Sequence, residues 1–186
     1  MSNIYEGHCK KNIEMNWDNL TPKVQEEINK LLLFHKNAYL AGALKCDSPI
    51  EQLLLVRIMH WIDSSITQYQ HYDPNLVMIY DAQREVAACG KKYRIDIYVE
   101  VVFKGEEYRF AIECDGHDFH EKTKEQAARD KRRERDLQSA GIHVIRFTGS
   151  EIWADAYEKS VEAMKIIEVV SGLRKAINEN IIPYRE

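Results

Sequence analysis

Two neighbouring segments that alternate strictly between apolar and polar residues constrain the fold of this chain more than any other feature. Residues 92–103 and 108–115 both alternate in this way, and a period of two predicts β-strands. The glycine-containing sequence KGEE joins them and predicts an antiparallel hairpin. Apolar side chains then occupy one face of the hairpin, while Asp96, Glu113 and Asp115 share the other.

The register of this hairpin can be estimated from the length of the connection. A four-residue turn pairs Phe103 with Tyr108, and Asp96 then lies opposite Asp115. Directly opposed like charges repel, and nearby carboxylates raise one another's pKa. A slip of two residues would change the pairing but leave the acids on the same face.

The shared acidic face has two interpretations. A bound Mg²⁺ or Mn²⁺ would relieve the repulsion, because hard cations prefer carboxylate oxygen. Such an ion could also activate water and neutralise charge on a phosphate. Alternatively, the acids lie on a solvated sheet face and pair with Arg94 or Arg109, as polar outer faces often do.

The rest of the chain predicts helices around this hairpin. We expect a first helix near residues 22–34 and a second from Ser48, where serine, proline and glutamate form an N-terminal cap. Further elements follow from residue pattern and stop signals, namely strands at 76–86 and 143–147, a polar helix at 122–140 ended by Gly141, and a last helix capped by Ser150. The order predicts an α+β fold around a mixed four-stranded sheet flanked by helices.

Bulk properties of the 186 residues predict one compact domain, with residues 1–47 as a helical N-terminal extension packed on a core at 48–186. No CxxC pair occurs, which argues against a zinc ribbon or a redox motif. No apolar run approaches the roughly 20 residues of a membrane span, and the N-terminus lacks a signal-peptide pattern. A cytoplasmic protein without a membrane partner is therefore expected.

Charge is unevenly distributed along the chain. The net charge of −4 argues against nucleic-acid binding when taken alone. The segment 122–135, however, reads KTKEQAARDKRRER, and a local basic excess is what phosphate binding requires. The alternative is a solvated helix face laced with ion pairs.

The segment from Ser48 to Trp153 resembles the PD-(D/E)XK, or restriction-endonuclease-like, nuclease superfamily, and most closely its small Vsr-like endonucleases. The matching pieces, in order, are SPIEQ at 48–52, Gln83, YRIDIYVE around Asp96, AIECDGHDFH at 111–120, Asp130 and Arg133, Leu137, Gly141, and VIRFTGSEI at 144–152. Each piece alone is weak, and their order and spacing carry the resemblance.

The resemblance implies a metal-dependent nuclease and assigns roles by position. It implies that Asp96 and Glu113 bind the metal with the carbonyl oxygen of Cys114, and that Glu51 is the acid of the first core helix. Asp115 is a further candidate metal ligand because it lies on the same face of the hairpin. Glu51 could instead serve only as the capping glutamate of that helix.

The polar helix is implied to carry the nucleic-acid contacts. Gln126, Asp130 and Arg133 share one helix face, and the resemblance implies that this face looks into the site. The expected nucleic-acid-binding residues are Lys122, Gln126, Lys131, Arg132 and Arg133. The alternative for Asp130 and Arg133 is an ordinary surface pair at i, i+3.

This chain departs from the superfamily formula at one position. The formula has lysine two residues after the acid, whereas this chain has Asp115. Candidates for the missing function are His117, His120, Lys122 and Lys131. His120 is preferred as a catalytic base because histidine titrates near neutral pH. It could also be a plain loop histidine.

The expected activity is phosphodiester hydrolysis by an endonuclease, with DNA preferred over RNA by analogy with the superfamily. A homodimer is included because cutting both strands often needs two active sites. The alternatives are a non-cleaving nucleic-acid-binding module, which the missing lysine favours, and a protein-interaction domain with a vestigial site.

Overall fold

The computed structural model describes residues 21–116 and 123–179. The predicted residues His117, His120 and Lys122 lie outside these ranges. The elements in chain order are α1 (Pro22–Ala43), α2 (Pro49–Tyr69), β1 (Val77–Ala88), β2 (Lys91–Phe103), β3 (Glu106–Asp115), α3 (Lys124–Ser139), β4 (Ile142–Thr148), α4 (Gly149–Ala154), α5 (Ala156–Val170) and α6 (Leu173–Glu179).

The chain divides into two compact units, one ending at Leu40 and the other beginning at Ala41. In the first unit the described residues from Pro22 onward are helical. The second unit contains every strand described above. The packing of an N-terminal extension on the core stays a prediction.

The strands form one four-stranded sheet in the order β1-β2-β3-β4. The β1–β2 and β2–β3 pairs are antiparallel, and β3 pairs with β4 in parallel. A parallel pair needs a crossover connection, and α3 provides it between β3 and β4. The predicted mixed sheet of four strands is confirmed.

The predicted register of the hairpin is wrong. Phe103 pairs with Glu106, not Tyr108, and Ile97 pairs with Ile112. The turn therefore consists of Lys104 and Gly105, with φ values of 53° and 80°. Positive φ at both central residues is typical of a type I′ turn, whose twist matches that of the two strands. The shift of two residues moves Asp96 from opposite Asp115 to opposite Glu113.

Helices cover the sheet and bury its side chains. Leu137 of α3 packs in one cluster with Tyr98, Ala111 and Ile142. Successive strand residues point to opposite faces, so the fully buried Val99 lies on the face opposite Tyr98. The helices α2 and α5 pack against each other and also contact the sheet. The architecture is α+β, with a mixed sheet flanked by helices, as the sequence predicts.

The predicted start of α2 and end of α3 are correct, whereas the predicted start of the next helix is wrong. Ser48 caps α2 by accepting a hydrogen bond from the Glu51 amide, and Gly141 ends α3 with φ of 73°, as predicted. The predicted cap at Ser150 is wrong. Thr148 caps α4 through a reciprocal capping box with Glu151, because its hydroxyl lies three residues before that acid.

The last predicted helix is in fact two. Asp155 ends α4 and caps α5 by accepting a hydrogen bond from the Glu158 amide. On α2, Leu54, Ile58 and Ile62 are buried, whereas Leu53 is 41% exposed. None of the described helices is long and apolar enough to cross a membrane.

Candidate active site

The acidic residues singled out in the sequence meet at one end of the sheet. The carboxyl end of β3 lies beside the start of β2 because those strands are antiparallel, and beside the carboxyl end of β4 because those are parallel. A Cβ at Gly149, the first residue of α4, would lie 3.4 Å from the Asp115 carbonyl oxygen and 3.1 Å from Cδ1 of Ile50. The small residue thus lets the starts of α2 and α4 approach the end of β3.

Asp96 lies where the β2–β3 hydrogen-bond ladder stops. The paired residues end at Ile97 and Ile112, and the Cys114 amide instead donates to Oδ2 of Asp96 at 2.8 Å. Burial raises the pKa of Asp96, the Cys114 hydrogen bond opposes this, and the charges of Glu51 and Asp115 raise the pKa further. The side chain is therefore fixed with one oxygen bound to backbone.

Glu113 is the most deeply buried acid of this group, with 4% of its surface exposed. Arg133 of α3 donates to its Oε1 at 2.8 Å. An ion pair of that length favours the charged carboxylate, yet burial dominates and raises the pKa of Glu113 to about 7, with Asp96 and Asp115 adding to the rise. The carboxylate consequently lies in an environment that penalises its charge.

Glu51 has the local capping role considered for it and also lies near the other acids. Its carboxylate accepts hydrogen bonds from the Ser48 hydroxyl at 2.7 Å and the Asp47 amide at 3.0 Å, which confirms the local capping role. The same carboxylate accepts from Nε2 of Gln83 at 2.6 Å. Its negative charge also raises the pKa of Asp96, so Glu51 lies within electrostatic reach of the site.

Gln83 is a site residue whose role was not predicted from the sequence. It lies opposite Asp96 in the register of β1 and β2, between the pairs Ala82–Ile97 and Arg84–Ile95. Its φ is 56°, a conformation that costs a non-glycine residue about 1–3 kcal/mol. Its Oε1 is buried and has no hydrogen-bond donor in the described part of the chain. A buried amide oxygen that lacks a described donor is suited to a cation.

Asp115 lies at the end of β3, beside Arg146 of β4. Nη1 of Arg146 lies 3.8 Å from Oδ2 of Asp115, and Arg146 is the parallel neighbour of Glu113. The Nε of Arg146 is buried without an acceptor among residues 21–116 and 123–179. A buried donor left unpaired costs about 1–3 kcal/mol. Arg146 was not predicted as a site residue, although a charged side chain within the apolar sequence HVIRF was a usable signal.

The basic residues of the polar helix α3 differ in exposure. Lys131 and Arg132 are exposed, and Arg133 is half-buried. Arg133 bonds Glu113 and the Arg94 carbonyl oxygen, the latter at 2.5 Å. Gln126 takes part in the capping box of Thr123. The helix thus joins an exposed basic face to the buried acids.

A solvated sheet face paired with Arg94 or Arg109 does not account for these acids. The Arg94 side chain pairs with Asp47, and Arg109 bonds the Ala140 carbonyl and pairs with Glu107. Glu113 is buried. The positive charges next to these acids therefore come from Arg133 of α3 and Arg146 of β4.

The donor set fits a hard divalent cation in chemical type. Carboxylates and an amide oxygen are preferred by Mg²⁺ and Mn²⁺, and the unpartnered Oε1 of Gln83 is such an oxygen. Burial raises the pKa of the Cys114 thiol, so it offers no thiolate. Within the described residues no three Asp, Glu, His or Cys side chains already form a metal cluster, and Arg133 occupies Glu113.

Comparison with known proteins agrees with this geometry. Residues 79–167 match the family model REase_MTES_1575, a restriction-endonuclease-like family. That segment runs from β1 to α5 and contains every site acid except Glu51. No curated protein and no solved structure matched the chain significantly. The fold is consistent with the restriction-endonuclease-like fold, and the family match supports the nuclease class.

Proposed function

We propose that this chain is a divalent-metal-dependent endonuclease that hydrolyses phosphodiester bonds of DNA. The observation that carries the proposal is the juxtaposition of two carboxylates at one end of the sheet, the half-buried Asp96 and the buried Glu113. Buried acids are costly unless a cation compensates them. The basic helix α3 lies against the same acids through Arg133, which suits a polyanionic substrate.

The residues proposed to hold Mg²⁺ or Mn²⁺ are Asp96, Glu113, the Cys114 carbonyl oxygen, Asp115 and Gln83. Glu51 supports them through its hydrogen bond from Gln83. When bound, the cation supplies an activated water and neutralises charge on the phosphate.

Arg133 is proposed to exchange partners when the site is loaded. Its guanidinium lies 2.8 Å from the Glu113 carboxylate. A cation at Glu113 would replace that contact, and Arg133 would then be available for a phosphate. Lys122, Gln126, Lys131 and Arg132 are proposed to hold neighbouring phosphates, which predicts binding that weakens steeply with salt. His120 is proposed as the base.

Three finer parts of the proposal rest on resemblance. DNA is preferred over RNA as the substrate by analogy with the restriction-endonuclease-like superfamily. A relationship to Vsr-like endonucleases is proposed from the order of the sequence motifs. A homodimer is proposed because double-strand cleavage often needs two sites.

A second candidate is a nucleic-acid-binding module that does not cut. Asp115 stands where the superfamily formula has lysine, and no three metal-ligating side chains are preassembled in the described ranges. A pure binder, however, gains nothing from anionic groups next to a phosphate. Binding assays and cleavage assays together separate the two candidates.

The test is nicking of supercoiled plasmid in Mg²⁺, Mn²⁺ or EDTA by wild type and Asp96→Asn. Asparagine keeps an oxygen that can accept from the Cys114 amide, so it changes charge with little change in shape. The matched control is Glu106→Gln, because Glu106 is exposed at the hairpin turn, at the opposite end of β3. We expect metal-dependent nicking by wild type and Glu106→Gln and none by Asp96→Asn.

Thermal unfolding gives an independent measure of metal binding. A ligand at about 100 times its Kd stabilises the folded protein by about 2.7 kcal/mol, and Asp96→Asn should reduce this gain. Salt-sensitive DNA binding without cutting would support the non-cleaving module. Neither metal nor DNA binding by folded wild type would support a protein-interaction domain.

A further inference from the structure

Arg146 has no role in the account above, although its position in the sheet brings it to the acids. It pairs with Glu113 in the parallel ladder between β3 and β4. Neighbouring residues in such a ladder project to the same face of the sheet. Its positive charge lowers the pKa of Glu113, which is consistent with a guanidinium beside that carboxylate.

The hydrogen-bonding capacity of Arg146 is largely unused by the described protein. Its Nε is buried and lacks an acceptor there. Its Nη1 lies 3.8 Å from Asp115, which is too long for a direct hydrogen bond. Its side chain is 25% exposed, so the group is accessible from the site. An arginine presents several donors in a planar fork that matches phosphate oxygens.

Arg133 differs in how its donors are used. It also has a buried Nε without a described partner, but its Nη2 bonds both Glu113 and the Arg94 carbonyl oxygen. Arg133 is thereby tied to the protein by two hydrogen bonds. The contact of Arg146 with Asp115 is longer.

We propose that Arg146 is a further catalytic residue, whose guanidinium donates hydrogen bonds to a non-bridging oxygen of the scissile phosphate. Negative charge that builds on the phosphate is stabilised most by donors already aimed at it. Asp115 lies beside the Arg146 guanidinium and acts as a positioning residue for it. This inference rests on the proposed nuclease function.

The proposed hydrolysis of the phosphodiester bond needs no proton from Arg146. An oxygen of water forms a bond to phosphorus, and one bridging phosphorus–oxygen bond breaks. The attacking water loses a proton to the catalytic base, and the leaving oxygen takes up a proton from solvent. Arg146 stays charged throughout, because its guanidinium does not deprotonate in proteins. Its contribution is electrostatic and geometric.

The test compares Arg146→Met and Arg146→Lys with the control Arg57→Met. Arg57 is exposed on α2, where its guanidinium lies 5.9 Å from the centre of the Tyr157 ring. Single-turnover cleavage with saturating DNA should fall about 100-fold or more in Arg146→Met, with partial recovery in Arg146→Lys. Arg57→Met should cleave like wild type. Added guanidinium ion should partly restore Arg146→Met.

A second readout does not depend on cleavage. DNA binding is measured against salt concentration with Ca²⁺ in place of Mg²⁺. Loss of one phosphate contact should lower the slope of log K against log salt by about 0.9 in Arg146→Met, whereas Arg146→Lys and Arg57→Met should keep the wild-type slope.

The two readouts separate the failure of this inference from that of the proposed function. A wild type that cuts, with Arg146→Met unchanged in either rate or slope, overturns the role of Arg146. A rate loss accompanied by a lower melting temperature, without rescue by guanidinium, also overturns it. A wild type that binds DNA but never cuts overturns the nuclease proposal, and the slope then decides the phosphate contact alone.

Discussion

Replacing Glu113 with glutamine should change how the stability of the metal-free protein depends on pH. Burial raises the pKa of Glu113 from 4.5 to about 7. The folded protein therefore holds this proton more tightly than the unfolded chain does. The contribution of Glu113 to the free energy of unfolding is fully present below about pH 4.5 and is lost as the pH rises through about 7. Glutamine mimics the protonated acid at every pH.

The magnitude follows from the two pKa values. One pH unit of difference corresponds to about 1.4 kcal/mol, so displacement from 4.5 to about 7 corresponds to about 3 kcal/mol. Since Glu113 is only 4% exposed, solvent screening reduces this little. Glu113→Gln should match wild type below about pH 4.5 and exceed its unfolding free energy by about 3 kcal/mol above about pH 7.

The assay is urea unfolding in EDTA at a series of pH values between about 4.5 and 8. The control is Glu106→Gln, which removes an exposed acid from the same strand and should follow the wild-type curve. The difference between wild type and Glu113→Gln isolates this group from other titrating acids. A difference that is constant with pH, or that makes the variant less stable at high pH, would refute the reasoning.

Further predictions concern the fold, and each is measured by chemical denaturation. Lys104→Asn should stabilise the protein by about 1 kcal/mol, because Lys104 has φ of 53° and asparagine tolerates the left-handed region better; a destabilised variant would contradict the turn. Thr148→Ala should cost about 1 kcal/mol by removing the cap of α4, whereas Ser150→Ala should have little effect, and the reverse order would restore Ser150 as the cap. Leu137→Ala should cost about 2–5 kcal/mol, because Leu137 is fully buried between α3 and the sheet, and a change under about 1 kcal/mol would contradict that packing.

Local patterns in the sequence were sufficient for the elements of the fold. Alternation predicted β2 and β3, the cap at Ser48 predicted the start of α2, and Gly141 predicted the end of α3. These features depend on interactions within a few residues of each other. The shared face of Asp96 and Glu113 also followed from alternation alone, since a slip of two residues preserves it.

Turn geometry and competing caps were less predictable from local pattern. Whether the hairpin turn has two or four residues depends on the twist of the whole strand pair, and the sequence KGEE permits both. The choice between Thr148 and Ser150 as cap depends on where β4 ends, which the pairing of Asp115 with Thr148 decides.

The sequence alone predicts a mixed sheet with a face of acids, a basic helix, and a resemblance that names most of the candidate site. The arginines that pair with those acids follow from tertiary packing. Arg133 reaches Glu113 because α3 packs across the sheet, and Arg146 joins them because β4 pairs in parallel with β3. Both contacts link segments far apart in the chain. Their formation depends on burial of the shared core, so no local pattern of residues specifies them.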